Sequence, residues 1–215
     1  MGSEHHRIHI KFLPTEKMHV AISGGVDSIA VAHFLTTMKY KFTALHFNHK
    51  QRLQNNVMQA SVETFCRKCK IPLIVGSLDD FPAGGSSSTE DSLREARLSF
   101  FGSIQGCPNI ILGHHLDDAV ESYLMNCFNG IPENIPIPIF SIWDKFTLHR
   151  PFLKNRKKVF INWVEKNNLE KFIVHDKSNQ DCSLRRNHIR NIVLPSVSKA
   201  YNGLPKIVKK KFYLV

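Results

Sequence analysis

Ser23-Gly24-Gly25-Val26-Asp27-Ser28 gives the clearest indication of the fold of this chain. It lies between residues 17–22, whose short apolar run predicts a strand, and residues 26–38, whose apolar positions recur with a helical period. Adjacent glycines let backbone amides converge on an anion, and the N terminus of a helix adds its positive end. The stretch has neither the lysine of a Walker A loop nor the third glycine of a dinucleotide-binding motif. It predicts an anion-binding loop, with a plain capped helix start as the alternative.

Strands and helices alternate outward from this loop. Strands are predicted at residues 41–47, 71–76 and 109–113, and helices at residues 53–69, 89–104 and 117–128. A last strand at 146–148 and helices at 156–167 and 185–200 follow a proline-rich segment at 129–140 that cannot continue a helix. The Gly/Ser-rich stretch 81–89 predicts a flexible loop with the character of a lid. The alternation predicts a Rossmann-like α/β fold, a parallel sheet with helices on both faces.

The positive charge is concentrated in the last third of the chain. The 215 residues contain 29 Lys and Arg and 18 Asp and Glu, a net charge of +11. Residues 1–144 hold 12 basic and 14 acidic side chains, whereas residues 145–215 hold 17 basic and 4 acidic ones. This distribution favours a polyanionic partner such as a nucleic acid. The four lysines between Lys206 and Lys211 are interpreted as a solvated tail that such a partner could contact.

Composition excludes several classes of protein. With 42% hydrophobic and 22% charged residues, a disordered chain is not expected. No apolar run approaches the ~20 residues of a membrane span, and the first residues lack a signal peptide. Together these features predict a soluble, cytoplasmic protein with no membrane partner.

The second motif is Gly113-His114-His115-Leu116-Asp117-Asp118, followed by Glu121. It begins at the carboxyl end of a predicted strand, where open parallel sheets bind their ligands, so it should face the same crevice as the glycine loop. Asp118 and Glu121 are three residues apart on a helix and share a face, which suits an amine or a metal. The alternative is a pair of helix-capping aspartates beside a structural histidine.

A third motif lies in the basic third. Arg186 and Arg190 are four residues apart on a predicted helix and point the same way, which suits contact with phosphate or carboxylate. A solvated basic face is the alternative.

The three motifs together resemble a known family. The glycine loop resembles the signature of the PP-loop (N-type) ATP pyrophosphatases. Five further motifs are similar, in order and spacing, to those of tRNA(Ile)-lysidine synthetase. The similarity extends over residues 18–195. The motifs are His46-Phe47-Asn48-His49, Arg94-Glu95-Ala96-Arg97, Gly113–Asp118 with Glu121, Arg150-Pro151-Phe152-Leu153, and Asp176-Lys177-Ser178-Asn179 followed by Arg186-Asn187 and Arg190.

This resemblance implies an ATP-dependent, AMP-forming ligase that modifies RNA. ATP would adenylate the wobble cytidine of a tRNA(Ile) with a CAU anticodon, and free L-lysine would then displace AMP to form lysidine. It implies ATP and Mg²⁺ as cofactors and is compatible with a homodimer. We also expect an N-terminal extension at 1–17, a PP-loop nucleotide-binding core at 18–144, and a basic part at 145–215 that completes the catalytic domain. Bacterial members of the family continue into further C-terminal domains that bind the tRNA, and separate domains of that kind are not expected here.

The resemblance also implies roles for individual residues. ATP would be bound by Ser23, Gly24, Gly25, Val26, Asp27, Ser28, His46, Asn48, Gly113 and His114, with Asp27 as the magnesium ligand. Catalytic roles would fall to Asp27, Arg94, Arg97, His114 and Asp118, the arginines and His114 lying near the α-phosphate. Asp118 and Glu121 would bind the cationic lysine, Arg186 would pair with its carboxylate, and Arg190 would complete the substrate site.

Two departures keep other functions open. Residues 128–140 lack the glycine-rich, basic character that relatives show after the Asp-Asp helix. Cys66 and Cys69 form a Cys-x-x-Cys pair, so a PP-loop tRNA 2-thiolation enzyme is one alternative, although relatives of that kind place the pair after the third strand. A non-catalytic nucleotide- or RNA-binding relative is the other.

Overall fold

A computed structural model describes residues 7–82, 90–106, 108–175 and 180–214. Most of the predicted lid at 81–89 and the motif Asp176–Asn179 lie outside these described residues. Six strands form one sheet in the order β3-β2-β1-β4-β6-β5. They are β1 (Met18–Ala21), β2 (Phe42–Asn48), β3 (Leu73–Ser77), β4 (Asn109–Ile111), β5 (Phe140–Trp143) and β6 (Phe146–His149). Every pair is parallel except the β5–β6 hairpin, which confirms the predicted α/β class.

Five helices follow or flank these strands: α1 (Val26–Thr37), α2 (Leu53–Cys69), α3 (Glu90–Ser103), α4 (Leu116–Phe128) and α5 (Lys157–Lys166). A 3₁₀ turn (Glu170–Phe172) precedes the last helical part, which comprises α6 (Arg185–His188), a π-helical turn (Ile189–Val193), α7 (Leu194–Ala200) and α8 (Leu204–Phe212). No helix in the described part of the chain is long and apolar enough to cross a membrane.

The helices cover both faces of the sheet. On one face, apolar residues of α1, α2 and α5, among them Leu35, Phe65 and Phe160, pack against β1 and β2 in the largest cluster. On the other face, Phe100 and Phe101 of α3 pack against β2, β4 and β6. Burial of these side chains supplies most of the driving force for folding, at about 25 cal/mol per Å² of apolar surface removed from water.

The order in which the chain adds strands to the sheet changes direction at β1. From β1 the chain adds β2 and then β3 on one side, and later adds β4 and β6 on the other. A crevice opens at such a switch point above the carboxyl ends of the strands. The glycine loop follows β1 and the Gly113–Asp118 motif follows β4, so both motifs reach this crevice.

Two predictions for the second half of the chain are corrected. The predicted helix at 185–200 is interrupted by the π-helical turn at Ile189–Val193. The sequence also gave no sign of β5, because its side chains are mostly exposed and do not alternate between buried and exposed positions. The pairing of β5 with β6, a contact between two strands, is what makes it a strand.

The interpretation of Lys206–Lys211 as a solvated tail is wrong. These residues lie in α8, which packs on α4 through buried Val208 and Tyr213 and through half-buried Leu204 and Phe212. The Tyr213 hydroxyl donates to the carbonyl of Ile137 at 2.9 Å and accepts from the N–H of Ile137 at 3.3 Å. The lysines cover the outer side of an amphipathic helix whose inner side belongs to the core.

The packing of α8 can be tested with two neighbouring residues. Val208 is fully buried, whereas Ile207 is 57% exposed. Val208→Ala should lower the free energy of unfolding by about 2 kcal/mol, because it removes two buried methyl groups and leaves a cavity. Ile207→Ala should change it by less than about 0.5 kcal/mol. Urea denaturation of both variants measures the difference, and equal effects would contradict the packing of α8 on α4.

Candidate active site

The glycine loop forms a cradle at the N terminus of α1. Gly24 adopts a φ of +91°, a conformation that favours glycine. The hydroxyl oxygens of Ser23 and Ser28 lie 3.2 Å apart, and the Ser28 hydroxyl donates to the carbonyl of Gly25 at 3.0 Å. No side chain caps the helix at Gly25. The first-turn amides of α1 therefore remain available for an anion, next to two hydroxyl groups.

The outer side of the cradle is held by a distant segment. The N–H of Val174 donates to the carbonyl of Gly24 at 3.1 Å, and the Ser61 hydroxyl of α2 binds the carbonyl of Phe172. These bonds turn the Gly24 carbonyl towards Val174, where its oxygen is satisfied.

His115 joins the two motifs. Its ring is almost fully buried and stacks on Phe160 at a centroid distance of 5.8 Å. In the neutral ring, Nδ1 accepts from the N–H of Asp118 at 3.3 Å, and Nε2 lies 3.4 Å from Oδ1 of Asp27. Burial alone would lower the pKa of His115, but the close contact with Asp27 and the negative charges of Asp27, Asp118 and Asp117 raise it above its ordinary value. The sequence places His115 within the second motif but does not predict a role for it.

Asp118 and Glu121 face the same two arginines. Arg190 binds Glu121 with two hydrogen bonds, from Nε at 2.6 Å and from Nη2 at 2.8 Å. Arg186 Nε donates to Glu121 at 3.1 Å, and Nη2 of each arginine lies 3.4 Å from Oδ1 of Asp118. The side chain of Glu121 is only 4% exposed, so its charge is neutralised inside the protein.

The surrounding charges hold Asp118 in its ionised form. Burial alone would raise the pKa of Asp118, but His115, His114 and Arg186 together hold it below its ordinary value. The hydrogen bond to Glu121 raises the pKa of Arg190. The two carboxylates and two guanidinium groups form a neutral cluster, in which the arginines bind the protein's own carboxylates.

A crevice of about 490 Å³ lies between the two motifs. Twelve predicted site residues line it: Ser23, Gly25, Val26, Asp27, Ser28, His46, Asn48, Arg97, Gly113, His114, Asp118 and Arg190. Four predicted residues do not line it, namely Gly24, Arg94, Glu121 and Arg186. Gly24 packs beneath the loop against α2, and Glu121 and Arg186 belong to the neutral cluster at the edge of the crevice.

His46 and Asn48 of β2 are both buried, but their side chains make different hydrogen bonds. His46 donates from Nδ1 to the carbonyl of Ile22 at 2.7 Å, which leaves its buried Nε2 as an acceptor without a partner among the described residues. Asn48 donates to Asn56 and Gln59 of α2, and its oxygen accepts from the N–H of Lys50. The Asn48 amide thus joins β2 to α2, so only His46 keeps a free acceptor for a ligand.

His114 is held neutral. Burial, together with the charges of Arg150, Arg186 and Arg97, lowers the pKa of His114 to about 4 against the opposing charge of Asp118. Its Nδ1 is buried without a hydrogen bond among the described residues. At neutral pH its unprotonated ring nitrogen can accept a hydrogen bond inside the crevice.

Lys157, at the start of α5, is a crevice residue that sequence reasoning missed. Its backbone N–H donates to Asp117 at 2.7 Å, which fixes the start of the helix. In the sequence it stands in the run Arg156-Lys157-Lys158, where nothing distinguishes it from its basic neighbours.

A comparison with known protein families identifies the family of this chain. The family model described as the PP-loop domain matches residues 3–197. The chain belongs to the PP-loop domain family. This match accounts for the cradle at the N terminus of α1 and for the order of the strands around it.

Among curated PP-loop relatives, the tRNA(Ile)-lysidine synthase of Actinobacillus pleuropneumoniae serotype 3 is 30% identical over 204 residues, which cover 93% of this chain and 47% of that protein. The bifunctional protein TilS/HprT of Listeria monocytogenes is 33% identical over 194 residues, covering 84% of this chain and 29% of the relative. These matches confirm the resemblance found in the motifs. The chain spans about half the length of the first of these relatives.

The U34-tRNA thiolase NcsA of Methanococcus maripaludis, solved with its [4Fe-4S] cluster, has a similar PP-loop fold. It superimposes with a TM-score of 0.70, covers 98% of this chain and 74% of its own, and shares 16% sequence identity. At this identity the likeness concerns the fold alone.

The neutral state of His114 predicts that acid destabilises the PP-loop domain. In the unfolded chain His114 binds a proton near pH 6.5, whereas in the folded chain its pKa is about 4. The free energy of unfolding should therefore fall as pH is lowered through this window. Urea denaturation at several pH values measures the slope. His114→Gln should flatten it, and the same change at exposed His175 should not; an unchanged slope in His114→Gln would contradict the assignment.

Proposed function

We propose that the protein is an ATP-dependent tRNA-modifying ligase that adenylates the wobble cytidine of a CAU-anticodon tRNA(Ile) and joins L-lysine to it. One observation carries the proposal: His115 connects Asp27 of the anion cradle to Asp118 of the carboxylate pair, across one crevice. A nucleotide site and an amine site in contact are what adenylation followed by amine attack requires. Similarity to tRNA(Ile)-lysidine synthases supports the choice of substrates.

The chemistry divides between the two sides of the crevice. The carbonyl oxygen of the cytosine attacks the α-phosphorus of ATP, the bond to pyrophosphate breaks, and pyrophosphate leaves. The lysine ε-amine then attacks the activated ring carbon, AMP leaves with the oxygen, and the amine loses a proton. Arg97 and His114 line the crevice beside the cradle, where they can stabilise charge at the α-phosphate. Neutral His114 is also the proposed acceptor for the proton of the amine.

The cradle fits ATP with magnesium. Ser23, Ser28 and the first-turn amides of α1 would hold the pyrophosphate part. Oδ1 of Asp27 is buried and has no partner at full hydrogen-bond geometry, and a carboxylate oxygen suits Mg²⁺. The described residues contain no cluster of three or more metal-binding side chains. Mg²⁺ held by Asp27 would therefore take its other ligands from phosphate and water, and would neutralise charge on the leaving pyrophosphate.

The carboxylate pair fits an amine only with a rearrangement. Asp118 and Glu121 are already bonded to Arg186 and Arg190, so a lysine ammonium would have to replace part of these bonds. An arginine released in this way is well placed to pair with the lysine carboxylate. The same cluster would thus bind both charged ends of an amino acid, while net charge stays balanced.

The basic last third is the proposed tRNA surface. Lys206, Lys210 and Lys211 are exposed on α8, and Arg156 and Lys158 are exposed at the start of α5. Contacts between such side chains and RNA phosphates depend on charge and weaken with salt. We assign residues 145–215 to the proposed catalytic domain as its RNA-facing part.

The thiolation alternative is not favoured by the cysteines. Cys66 is 2% exposed in the core cluster of α2, and burial raises the pKa of its thiol to about 12. Burial also raises the pKa of Cys69. Sulfur transfer and cluster binding need thiolates, which these environments disfavour.

The ligase proposal is tested by product formation. The protein, ATP, Mg²⁺, L-lysine and a CAU-anticodon tRNA(Ile) transcript should release pyrophosphate and AMP, and the RNA should gain the mass of one lysine less one water. Mass spectrometry of the nucleosides identifies the product. Pyrophosphate release without any lysine-dependent product, across a pool of tRNAs, would contradict the assigned nucleophile.

Glu121→Gln tests the amine site, because Glu121 contacts the arginines but not the cradle. The variant should raise KM for lysine by roughly tenfold or more, because it removes a charge-assisted hydrogen bond. KM for ATP should stay within about threefold of the wild-type value. Steady-state kinetics in each substrate measures both constants. Glu165→Gln, the same change at an exposed position of α5, is the control. Equal rises in both KM values would contradict the role of Glu121.

A further inference from the structure

Arg150 carries a buried positive charge without a counter-ion. It directly follows β6 and is only 7% exposed. Its Nη1 donates to the carbonyl of Pro138 and to the hydroxyl of Ser141, both at 2.9 Å and both neutral. Its Nε makes no hydrogen bond, and no carboxylate within the described ranges pairs with the guanidinium. Two neutral acceptors satisfy only part of its five N–H donors.

The guanidinium nevertheless stays charged. Burial, together with the charge of Arg94, lowers the pKa of Arg150 to about 10, which still leaves it protonated at neutral pH. Buried charges in proteins are normally paired, because removing an ion from water is costly. An unpaired buried cation is therefore a preorganised partner for an anion that arrives from outside.

Arg150 lies at the same end of the sheet as the crevice. It follows the carboxyl end of β6, the neighbour of β4, and its charge lowers the pKa of His114, which lines the crevice. Arg94 lies one turn before Arg97 on α3, is exposed, and makes no hydrogen bond or ion pair to a described residue. Arg150 thus lies near His114, and Arg94 lies near Arg150 and one turn before crevice-lining Arg97. Neither Arg150 nor Arg94 has a carboxylate partner among the described residues.

We propose that Arg150 and Arg94 form an anion subsite, separate from the glycine loop, that takes a backbone phosphate of the RNA next to the nucleotide being modified. This inference rests on the proposed ligase function and assigns a place for its RNA substrate. The glycine loop follows β1, and β6 is two strands away, about 10 Å at the usual strand spacing. The subsite therefore lies to one side of the ATP cradle.

A phosphate fits this position better than a carboxylate of lysine. The charges of an amino acid are matched by the cluster of Asp118, Glu121, Arg186 and Arg190. A base that enters a crevice for chemistry, by contrast, brings its own flanking phosphates with it. Those phosphates need neutralising beside the crevice, and Arg94 and Arg150 supply positive charge that no described carboxylate takes up.

The C-terminal helix supports the subsite through the loop before β5. That loop supplies the Pro138 carbonyl to Arg150, and Tyr213 at the end of α8 holds the loop through both backbone groups of Ile137. Lys211 binds Glu133 of the same loop at 2.7 Å. Tyr213 is therefore a positioning residue for Arg150, and the packing of α8 is coupled to the RNA site.

The test uses a fluorescent CAU-anticodon stem-loop and its version with one methylphosphonate next to the wobble cytidine. Affinity is measured against salt concentration for the wild type, Arg150→Gln, Arg94→Gln and the control Arg67→Gln. Arg67 is exposed near the end of α2, which leads back to the amino end of β3, away from the carboxyl ends of the strands. Each subsite variant should bind roughly tenfold more weakly, with a salt slope smaller by about 0.7–0.9. Arg67→Gln should match the wild type.

The methylphosphonate identifies the partner of the subsite. It should weaken binding by the wild type about as much as Arg150→Gln does, and should cost the variant little more, because the two changes remove the same contact. If thermal unfolding shows that Arg150→Gln does not fold, exposed Arg94→Gln carries the same comparison.

Three results would overturn the inference. Fully additive losses, or an unchanged salt slope in both variants, would show that RNA binds elsewhere and would leave the ligase proposal intact. A rise in KM for lysine alone, with unchanged RNA affinity, would assign the subsite to a carboxylate. A wild-type protein with no affinity for any stem-loop or tRNA would refute the proposed function, and the subsite with it.

Discussion

The contact of His115 with Asp27 and Asp118 is the interaction on which the site depends. It links the loop after β1 to the loop after β4, which meet only because the sheet changes direction between these strands. The two loops lie against each other, since a Cβ at Gly113 would make an ordinary van der Waals contact of 3.5 Å with the Asp27 backbone. Stacked on Phe160 and almost fully buried, the ring cannot turn away without exposing the core. The position of the Asp27 carboxylate in the anion cradle therefore depends on His115, which also contacts Asp118.

Charge balance shapes the rest of the crevice. Asp118 and Glu121 would be costly to bury alone, and Arg186 and Arg190 offset that cost with paired hydrogen bonds. In the proposed function, each ion pair in this cluster can be exchanged for one to a charged substrate. His114, held neutral beside it, provides the group that can still take up a proton. Ion pairing and proton transfer thus fall to different residues within one pocket.

The basic last third of the chain packs against the same sheet and helices that form the nucleotide site. β6 lies between β4 and β5, and α8 packs on the helix that carries Asp118. Through Tyr213 and the loop before β5, this packing reaches Arg150. The surface that would bind RNA is therefore linked by packing and hydrogen bonds to the residues of the crevice. Substitutions that disturb the packing of α8 should also alter the crevice.

Local sequence determined the first half of the fold and most of the site. The glycine loop between β1 and α1, the bounds of α2, and the carboxylates three apart on α4 follow from residue type and spacing, because the interactions behind them span a few residues. Tertiary structure alone decided that Phe140–Trp143 is a strand, that the lysine-rich end is a packed helix, that His115 bridges two carboxylates, and that Arg150 is buried without a partner. Each of these depends on contacts between residues far apart in the chain, and burial and pairing of that kind leave no local pattern to read.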